Sequence, residues 1–316
     1  MLKSFLITFM YILSACWTIY SQPKHYIGVS HNLDNSVILD SANIRITYSL
    51  EFVEDSLNLE KKWKDLKILL IGNKVQNFYS YFGRQIDSAF TTNIKGTKAF
   101  KQLPLSEGVF SERYDIYYNF PEGKQTVVEN ITRLRSYLYK ESFTLPEWFI
   151  TGDTTTLLNF HCHKAVCRFY GRTWEVWFAP EIALNAGPWK LRGLPGLILK
   201  ASDERNHYVF ECTGIEKLKQ PEPIIIIEKA YVAASNSAHA GSREKFLKEL
   251  RELHDNYVNI LLSMGYYVMI VDKSGKIVET IEPTNTKFKD RNISYPVKIE
   301  VEERYKKIPY NYIELE

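Results

Sequence analysis

The chain has 316 residues, of which 45% are hydrophobic, 14% aromatic and 24% charged, with 15 glycines and 12 prolines. This composition is typical of a folded globular protein and excludes both wholesale disorder and a collagen-like chain. The 40 basic and 37 acidic residues are interspersed and leave a net charge of +3, so the charge does not favour a nucleic-acid partner.

Residues 1–21 have the pattern of a secretory signal peptide. After Lys3 the chain is apolar and uncharged from Phe5 to Ile19, and the small and polar residues Ser21 and Gln22 follow. The apolar run is shorter than the roughly 20 residues that span a membrane. We therefore expect cleavage after Ser21 and export to the periplasm or cell envelope.

The same segment allows a second interpretation as a lipoprotein signal. Leu13-Ser14-Ala15-Cys16 fits a lipobox, in which Cys16 is lipidated and becomes the mature N-terminus. The protein would then be an outer-membrane lipoprotein, and membrane contact is expected only in that case or if the segment stays as an uncleaved anchor. The apolar residues directly after Cys16 favour simple cleavage, because a polar tether is expected there.

Short predicted strands dominate the mature chain. Residues 43–53 alternate between apolar and polar, which places one set of side chains on a buried face: Ile44, Ile46, Tyr48, Leu50 and Phe52. Further strands are predicted at 66–71, 77–82, 114–120, 125–131, 138–143, 161–170, 173–178, 197–201, 207–213 and 223–230. Turn signals between most of them indicate an antiparallel sheet. The stretch from Phe82 to Val109 predicts a loop or a short helix.

One segment has a helical period. Apolar residues recur at three- and four-residue steps from Arg243 to Met264, between a capping Ser242 and a terminating Gly265. The sequence thus predicts an α+β fold that is mainly antiparallel β, with a curved sheet or half-barrel and one long amphipathic helix packed on it. Residues 22–284 form this domain, and the tail 285–316 is expected at the sheet edge.

Three cysteines remain after cleavage, so at most one intramolecular disulfide can form. On a strand, Cys162 and Cys167 would point to opposite faces and would not pair with each other. The alternatives are a disulfide between Cys212 and one of these two, or three buried free thiols.

The sequence contains no nucleotide-binding, hydrolase-elbow or zincin motif. His161 and His163 would share one face of a strand, and a metal site completed by His207 is the alternative to a structural role. Glu181 and Asp203 are candidates for acid–base chemistry. We favour the structural interpretation and expect neither a metal nor another cofactor.

The most distinctive stretch lies between residues 171 and 200. Its candidate structural or binding residues are Gly171, Arg172, Trp174, Trp177, Gly187, Pro188, Trp189, Gly193, Leu194, Pro195 and Gly196. Leu194-Pro195-Gly196 suits a type II turn, followed by a buried strand at Leu197–Leu199. The tryptophans indicate either a capped core or a groove formed by Trp177, Trp189 and the turn.

Residues 193–198 read GLPGLI, and the chain resembles the GLPGLI family of exported Bacteroidetes proteins. Further matches are Cys162-x-Lys164-Ala165, Gly171-Arg172-Thr173-Trp174, Trp177-Phe178, Pro180-Glu181-Ile182, Gly187-Pro188-Trp189-Lys190, Asp203, Phe210 and Ile313-Glu314-Leu315-Glu316. The resemblance implies an exported, β-rich protein and supplies no catalytic residues.

Two non-catalytic functions are therefore expected. One is a carrier of an apolar or peptide ligand in the cell envelope, and the other is an assembly partner of an outer-membrane protein. Both fit a motif built from turn-forming and apolar residues, whereas catalysis needs convergent titratable groups. The alternative is an unrecognised metal-dependent or hydrolytic envelope enzyme.

Overall fold

Two long strands, β1 (Ser36–Val53) and β11 (Tyr208–Ile227), pair antiparallel in the middle of a large sheet. The computed structural model describes residues 32–56, 58–95, 114–131, 135–227, 231–232, 235–236, 239–263, 267–272, 276–282, 298–302 and 312–314. Within these, the sheet has twelve strands in the order β14-β6-β5-β4-β3-β2-β1-β11-β10-β9-β8-β7.

The remaining strands of this sheet are short or medium in length. They are β2 (Lys62–Gly72), β3 (Gln76–Ser80), β4 (Tyr114–Tyr118), β5 (Lys124–Ile131), β6 (Arg135–Ser142), β7 (Phe149–Leu157), β8 (Phe160–Phe169), β9 (Arg172–Ala179), β10 (Leu197–Asp203) and β14 (His239–Gly241). All neighbours pair antiparallel except β14 and β6, which are parallel.

Side-chain alternation gives the sheet two packed faces. On β1, the even-numbered residues from Ile46 to Phe52 are buried in the main core, as the sequence pattern predicts. We call this the inner face. The opposite, outer face carries a second cluster that includes Ile68, Tyr79 and Tyr117.

Two tight hairpins at the β7 end of the sheet set the register there. Tyr170 (φ 46°) and Gly171 (φ 74°) connect β8 to β9, and Leu158 (φ 49°) and Asn159 (φ 66°) connect β7 to β8. Two consecutive residues with positive φ are the signature of the type I′ turn, whose twist matches that of the flanking strands. The first of these turns places Arg172 at the start of β9.

The predicted fold, a curved sheet or half-barrel with one long amphipathic helix packed on it, is wrong. The sheet does not close, since β14 and β7 each pair on one side only among the described residues. Helix α2 (Arg243–Ser263) is broken at Asn256, which has non-helical φ −127° and ψ 26°, so it consists of two shorter pieces. A further helix, α1 (Tyr81–Lys95), lies where a loop or short helix is expected, and the Ser80 hydroxyl caps it by accepting from the Gly83 N–H at 3.0 Å.

The rest of the described chain forms small elements. A three-residue 3₁₀ turn lies at Leu33–Asn35. β12 (Tyr231–Val232) pairs with β13 (Ser235–Asn236), and β15 (Tyr267–Val271) lies between β16 (Ile277–Ile281) and β17 (Lys298–Glu302). β17 thus forms one edge of this small sheet, which is separate from the large sheet.

The proposed signal peptide and Cys16 lie outside the described residues. Among the residues that are described, neither helix combines the length and the apolar character that a membrane crossing requires.

Candidate functional site

Charged side chains converge on the inner face, close to the glycine- and tryptophan-rich stretch. Strands β5, β6, β9 and β10, the loop before β10 and the start of α2 each contribute. We call the following set the socket: Glu129, Tyr139, Glu141, Arg172, Lys190, Asp203 and Arg243. It encloses Tyr312, Ile313 and Glu314, which are 8%, 1% and 4% exposed.

Arg172 links the start of β9 to the distant segment. Its Nη1 lies 2.7 Å from Asp203 Oδ2, its Nε donates to the Ile313 carbonyl at 2.8 Å, and its Nη2 donates to the Tyr312 carbonyl at 2.5 Å. The Asp203 carboxylate is itself held by the Tyr208 N–H at 2.9 Å. The planar, forked guanidinium suits this role because it donates to several acceptors in one fixed geometry.

Lys190 and Arg243 bind the carboxylate of Glu314. The Lys190 Nζ lies 2.5 Å from Glu314 Oε1 and 2.7 Å from Glu141 Oε1, and Arg243 donates to Glu314 Oε2 from Nε at 2.9 Å and Nη2 at 2.7 Å. Burial alone would lower the pKa of Lys190, but Glu314 and Glu141 raise it above its usual value. Lys190 therefore stays charged.

Glu129 is bound by two phenols. The hydroxyl of Tyr139 donates to Oε1 at 3.1 Å, and that of Tyr312 donates to Oε2. Burial and then the nearby charge of Glu314 raise the pKa of Glu129 to about 8. Burial thus favours the neutral form of the carboxyl group, whereas the two phenol hydrogen bonds favour the carboxylate.

The glycines of the motif are close-packing positions. A Cβ on Gly187 would lie 2.4 Å from the Leu191 carbonyl oxygen, and one on Gly196 (φ 153°) would lie 2.3 Å from that of Ala179. Trp189 has φ 49°, is 2% exposed, and packs on Trp174 with ring centroids 5.4 Å apart. The loop is thus folded tightly into the inner-face core, beside the socket.

The predicted type II turn at 194–197 is not formed. The Gly196 N–H donates to the Leu194 carbonyl at 2.8 Å, which makes a γ-turn centred on Pro195, and the Leu197 N–H donates to Ile182 instead. Gly193 has φ 101°. Leu194 and the strand residues that follow the turn are buried, as expected.

The predicted tryptophan groove is also not formed. Trp174, Val176 and Phe178 point to the inner face, whereas Trp177 points to the outer face beside Lys164 and Lys200. Trp189 is 2% exposed within the inner-face core, so its ring is not available to line a groove together with Trp177. Pro188 shares the buried loop with Trp189.

Neither candidate disulfide is present, and Cys162, Cys167 and Cys212 are buried free thiols. Strands β9 and β10 lie between β8 and β11, so at about 4.8 Å per strand the Cys212 Cα lies about 14 Å from β8. A disulfide requires roughly 7 Å or less. Burial raises the pKa of Cys167 to about 12 and that of Cys212 to about 11, which makes both thiols unreactive.

The candidate metal and acid–base residues do not gather around one centre. The His161 and His163 rings lie 5.0 Å apart, and the Glu181 carboxylate accepts from the His161 backbone N–H at 3.2 Å. Both His161 and Glu181 are exposed, while Asp203 is buried with Arg172 towards the other end of β9. Within the described ranges, no group of three or more His, Cys, Asp or Glu side chains is arranged to hold a metal ion.

Sequence reasoning missed most of the socket. Glu129, Glu141 and Arg243 lie in unremarkable polar positions, and Glu314 is one of many acidic residues near the end of the chain. Arg172, Lys190, Asp203 and Ile313-Glu314 are among the residues that suggest the resemblance described above, but the sequence alone does not indicate that they meet.

Comparisons with known proteins give weak matches. A model of the family described as "N-glycanase peptide, N-terminal domain" matches residues 117–236, and no curated protein matches the chain. PNGF-II, in C2 and P21 crystals, aligns at 16% identity over 67% of this chain and 33% of its own, with TM-scores of 0.41 and 0.40. An uncharacterized conserved protein from Thermus thermophilus aligns at 9% identity over 60% of this chain and 84% of its own, with a TM-score of 0.28. The chain thus spans about a third of PNGF-II, and structural likenesses this low define no function.

Proposed function

We propose that the chain is an exported, non-catalytic cell-envelope protein of the GLPGLI kind, which docks a partner protein through the open edge of its large sheet. The observation that carries this proposal is strand β7. It ends the sheet order, so among the described strands only β8 pairs with it. An edge of this kind offers unpaired backbone groups to a strand of another protein.

Exposed apolar side chains lie at the start of this edge. Leu145 is 55% exposed, Phe149 69% and Ile150 48%, and we call these three residues the edge patch. Trp148, between them, donates from its indole N–H to the Arg192 carbonyl at 2.8 Å. The edge patch is therefore anchored to the loop that carries Gly193.

The rest of β7 is protected in the manner of natural edge strands. Its register with β8 shifts between Ile150 and Thr154, and the intervening Thr151 hydroxyl bonds to Asp153 at 3.1 Å. Such a bulge, with polar residues around it, discourages indiscriminate strand pairing. The apolar contact area is thus limited to a few residues, which suits a specific partner with an apolar strand.

The packing of the inner face favours a docking function over a carrier function, because a carrier needs a cavity for its ligand. Its centre is filled by the chain's own large side chains, including Trp174, Trp189 and Phe210, all buried. The socket charges bind one another and residues 312–314, so they also support a structural role more than a catalytic one.

Photo-crosslinking in the native cell tests the proposal. A photoreactive phenylalanine analogue at position 149 is expected to give a discrete crosslinked partner, whereas the same analogue at Leu59, which is 47% exposed outside the edge patch, is not. Ile150→Asp should reduce the product at position 149, and Leu59→Asp should leave it unchanged. Equal labelling at positions 149 and 59 would contradict edge docking.

The family match at residues 117–236 favours a second candidate, a module that works with or as an N-glycanase. This second candidate corresponds to the hydrolytic envelope enzyme that the sequence leaves open as the alternative function. Incubation of the purified full chain with a denatured N-glycosylated protein, followed by mass spectrometry of the released glycans, tests it. Glycan release that is lost on Glu129→Gln would support this candidate, and the absence of release would reject the catalytic form.

A further inference from the structure

Residues 312–314 are held in the way a binding protein holds a peptide. All three are buried, and their main chain and side chains are bound by groups from four separate parts of the chain: Glu129 on β5, Arg172 on β9, Lys190 in the loop before β10, and Arg243 at the start of α2. Arg172 alone donates to two successive carbonyl oxygens. These belong to Tyr312 and Ile313, which lie 140 and 141 positions after Arg172 in the sequence.

The socket has a distinct subsite for each residue of the segment. The Tyr312 hydroxyl donates to Glu129, and its ring packs on Phe246 with centroids 5.9 Å apart. Ile313 is 1% exposed within the main core. Glu314 accepts from Lys190 and Arg243.

The charge of the socket matches one carboxylate. Near Glu314, Lys190 and Arg243 supply two positive charges, and Glu141 supplies one negative charge, 2.7 Å from Lys190 and 3.9 Å from Arg243. Two cations minus one anion leave one positive charge, which Glu314 neutralises. Arg172 is already neutralised by Asp203 at 2.7 Å, so its other donors suit neutral carbonyl oxygens.

We propose that the socket is a peptide-binding site for the sequence Tyr-Ile-Glu, and that residues 312–314 occupy it as a ligand tethered within the same chain. The site recognises an extended peptide by its two carbonyl oxygens, a phenol and a carboxylate. A separate peptide with this sequence replaces the tethered segment when that segment is detached or weakened. The proposal concerns the inner face and is independent of docking at the edge patch.

A cut chain provides the direct test. A specific protease site is placed between Glu302 and Tyr312, the full chain is folded, and it is then cut. A labelled peptide with the sequence of residues 310–316 is added, and its fluorescence anisotropy is measured. Saturable binding is expected, because the cut segment exchanges with the labelled one.

Variant peptides and proteins test the individual subsites. Because a hydrogen bond to a charged group is among the stronger ones, the Glu314→Gln peptide should bind at least about tenfold more weakly. Tyr312→Phe should also weaken binding, by a smaller factor. On the protein side, Lys190→Met should reduce affinity, whereas Lys200→Met, at a side chain 38% exposed on β10, should not.

A folded cut chain that does not bind the peptide, or that binds the wild-type and Glu314→Gln peptides equally, overturns the proposal. If cutting unfolds the chain, peptide binding by the uncut Glu314→Gln chain provides the test instead. Its weakened tethered segment should let it bind the wild-type peptide at lower concentration than the unaltered chain does. Equal binding by the two uncut chains also overturns the proposal.

Discussion

The inner and outer faces of the sheet both carry ion pairs, but they bury them to different extents. In the socket, the Arg172 and Asp203 side chains are 2% and 1% exposed. On the outer face, Arg45 on β1 pairs with Glu216 at 3.5 Å and also with Glu222, and these three side chains are 36%, 61% and 26% exposed. The same residue types therefore work in two different dielectric environments.

This difference determines what each pair contributes. Water screens the outer-face pairs, so a solvated charge left by a mutation is well tolerated. The socket charges are buried, so they contact one another in place of water. Removal of one partner leaves the other as a buried charge without an opposite charge beside it. The socket pairs therefore stabilise contacts between remote parts of the chain, whereas the outer-face pairs contribute little to the free energy of unfolding.

The largest expected effect is that of Arg172→Met. The substitution leaves Asp203 buried without its cation and removes the donors to two carbonyl oxygens, so a loss of about 3–5 kcal/mol in the free energy of unfolding is expected. Urea titration followed by tryptophan fluorescence measures it. A loss below about 1 kcal/mol would show that the buried pairs behave like the outer-face ones.

Gly196→Ala tests the loop that supports the socket. The added methyl would lie 2.3 Å from the Ala179 carbonyl oxygen at a backbone with φ 153°, and we expect destabilisation by about 2–3 kcal/mol. The matched control is Gly152→Ala on β7, where the added methyl meets nothing within 4 Å. Similar melting temperatures for the two variants would contradict the close-packing interpretation.

Glu129 gives the socket a pH dependence. Its pKa in the folded state is about 8, against an ordinary value of 4.5, so the folded protein retains a proton that the unfolded chain has already lost between these pH values. Stability should therefore fall as pH rises from about 5 to about 8, and then level off.

The measurement is the free energy of unfolding at pH 5 and pH 9. Glu129→Gln mimics the neutral carboxyl group, so the wild type should lose at least about 1 kcal/mol more than this variant over the range. Equal pH profiles would place the titration of Glu129 outside this range.

The smallest effect is expected on the outer face. Arg45→Met should change the free energy of unfolding by less than about 1 kcal/mol. The same urea titration compares it directly with Arg172→Met. If the two arginine variants are equally destabilised, the contrast between the faces does not hold.

Local patterns predict local structure in this chain. The alternation along β1 places Ile46, Tyr48, Leu50 and Phe52 on the inner face, because a period of two is directly visible in the sequence. The break in α2 is not visible, since Asn256 lies within a continuous apolar period. The absence of a disulfide follows from strand order, which no spacing between Cys162, Cys167 and Cys212 reveals.

The socket could not be predicted for a related reason. Arg172 and Lys190 stand out as parts of a motif, but their partners lie on other strands and near the end of the chain. Glu129 and Glu141 lie on β5 and β6, six and seven positions from the β10 strand of Asp203 in the sheet order, and no local sequence pattern shows that these strands contribute to the same socket. Charged residues are solvated far more often than they are buried, so composition gives no reason to expect a buried group.

The long sequence separation between Arg172 and its carbonyl partners also affects the order of folding. Joining residues 140 or more positions apart costs chain entropy that only a nearly complete sheet can offset. We therefore expect these contacts to form after the rate-limiting step. Weakening them should accelerate unfolding while leaving the refolding rate almost unchanged, so the residues around 313 govern how long the native protein persists more than how quickly it is reached.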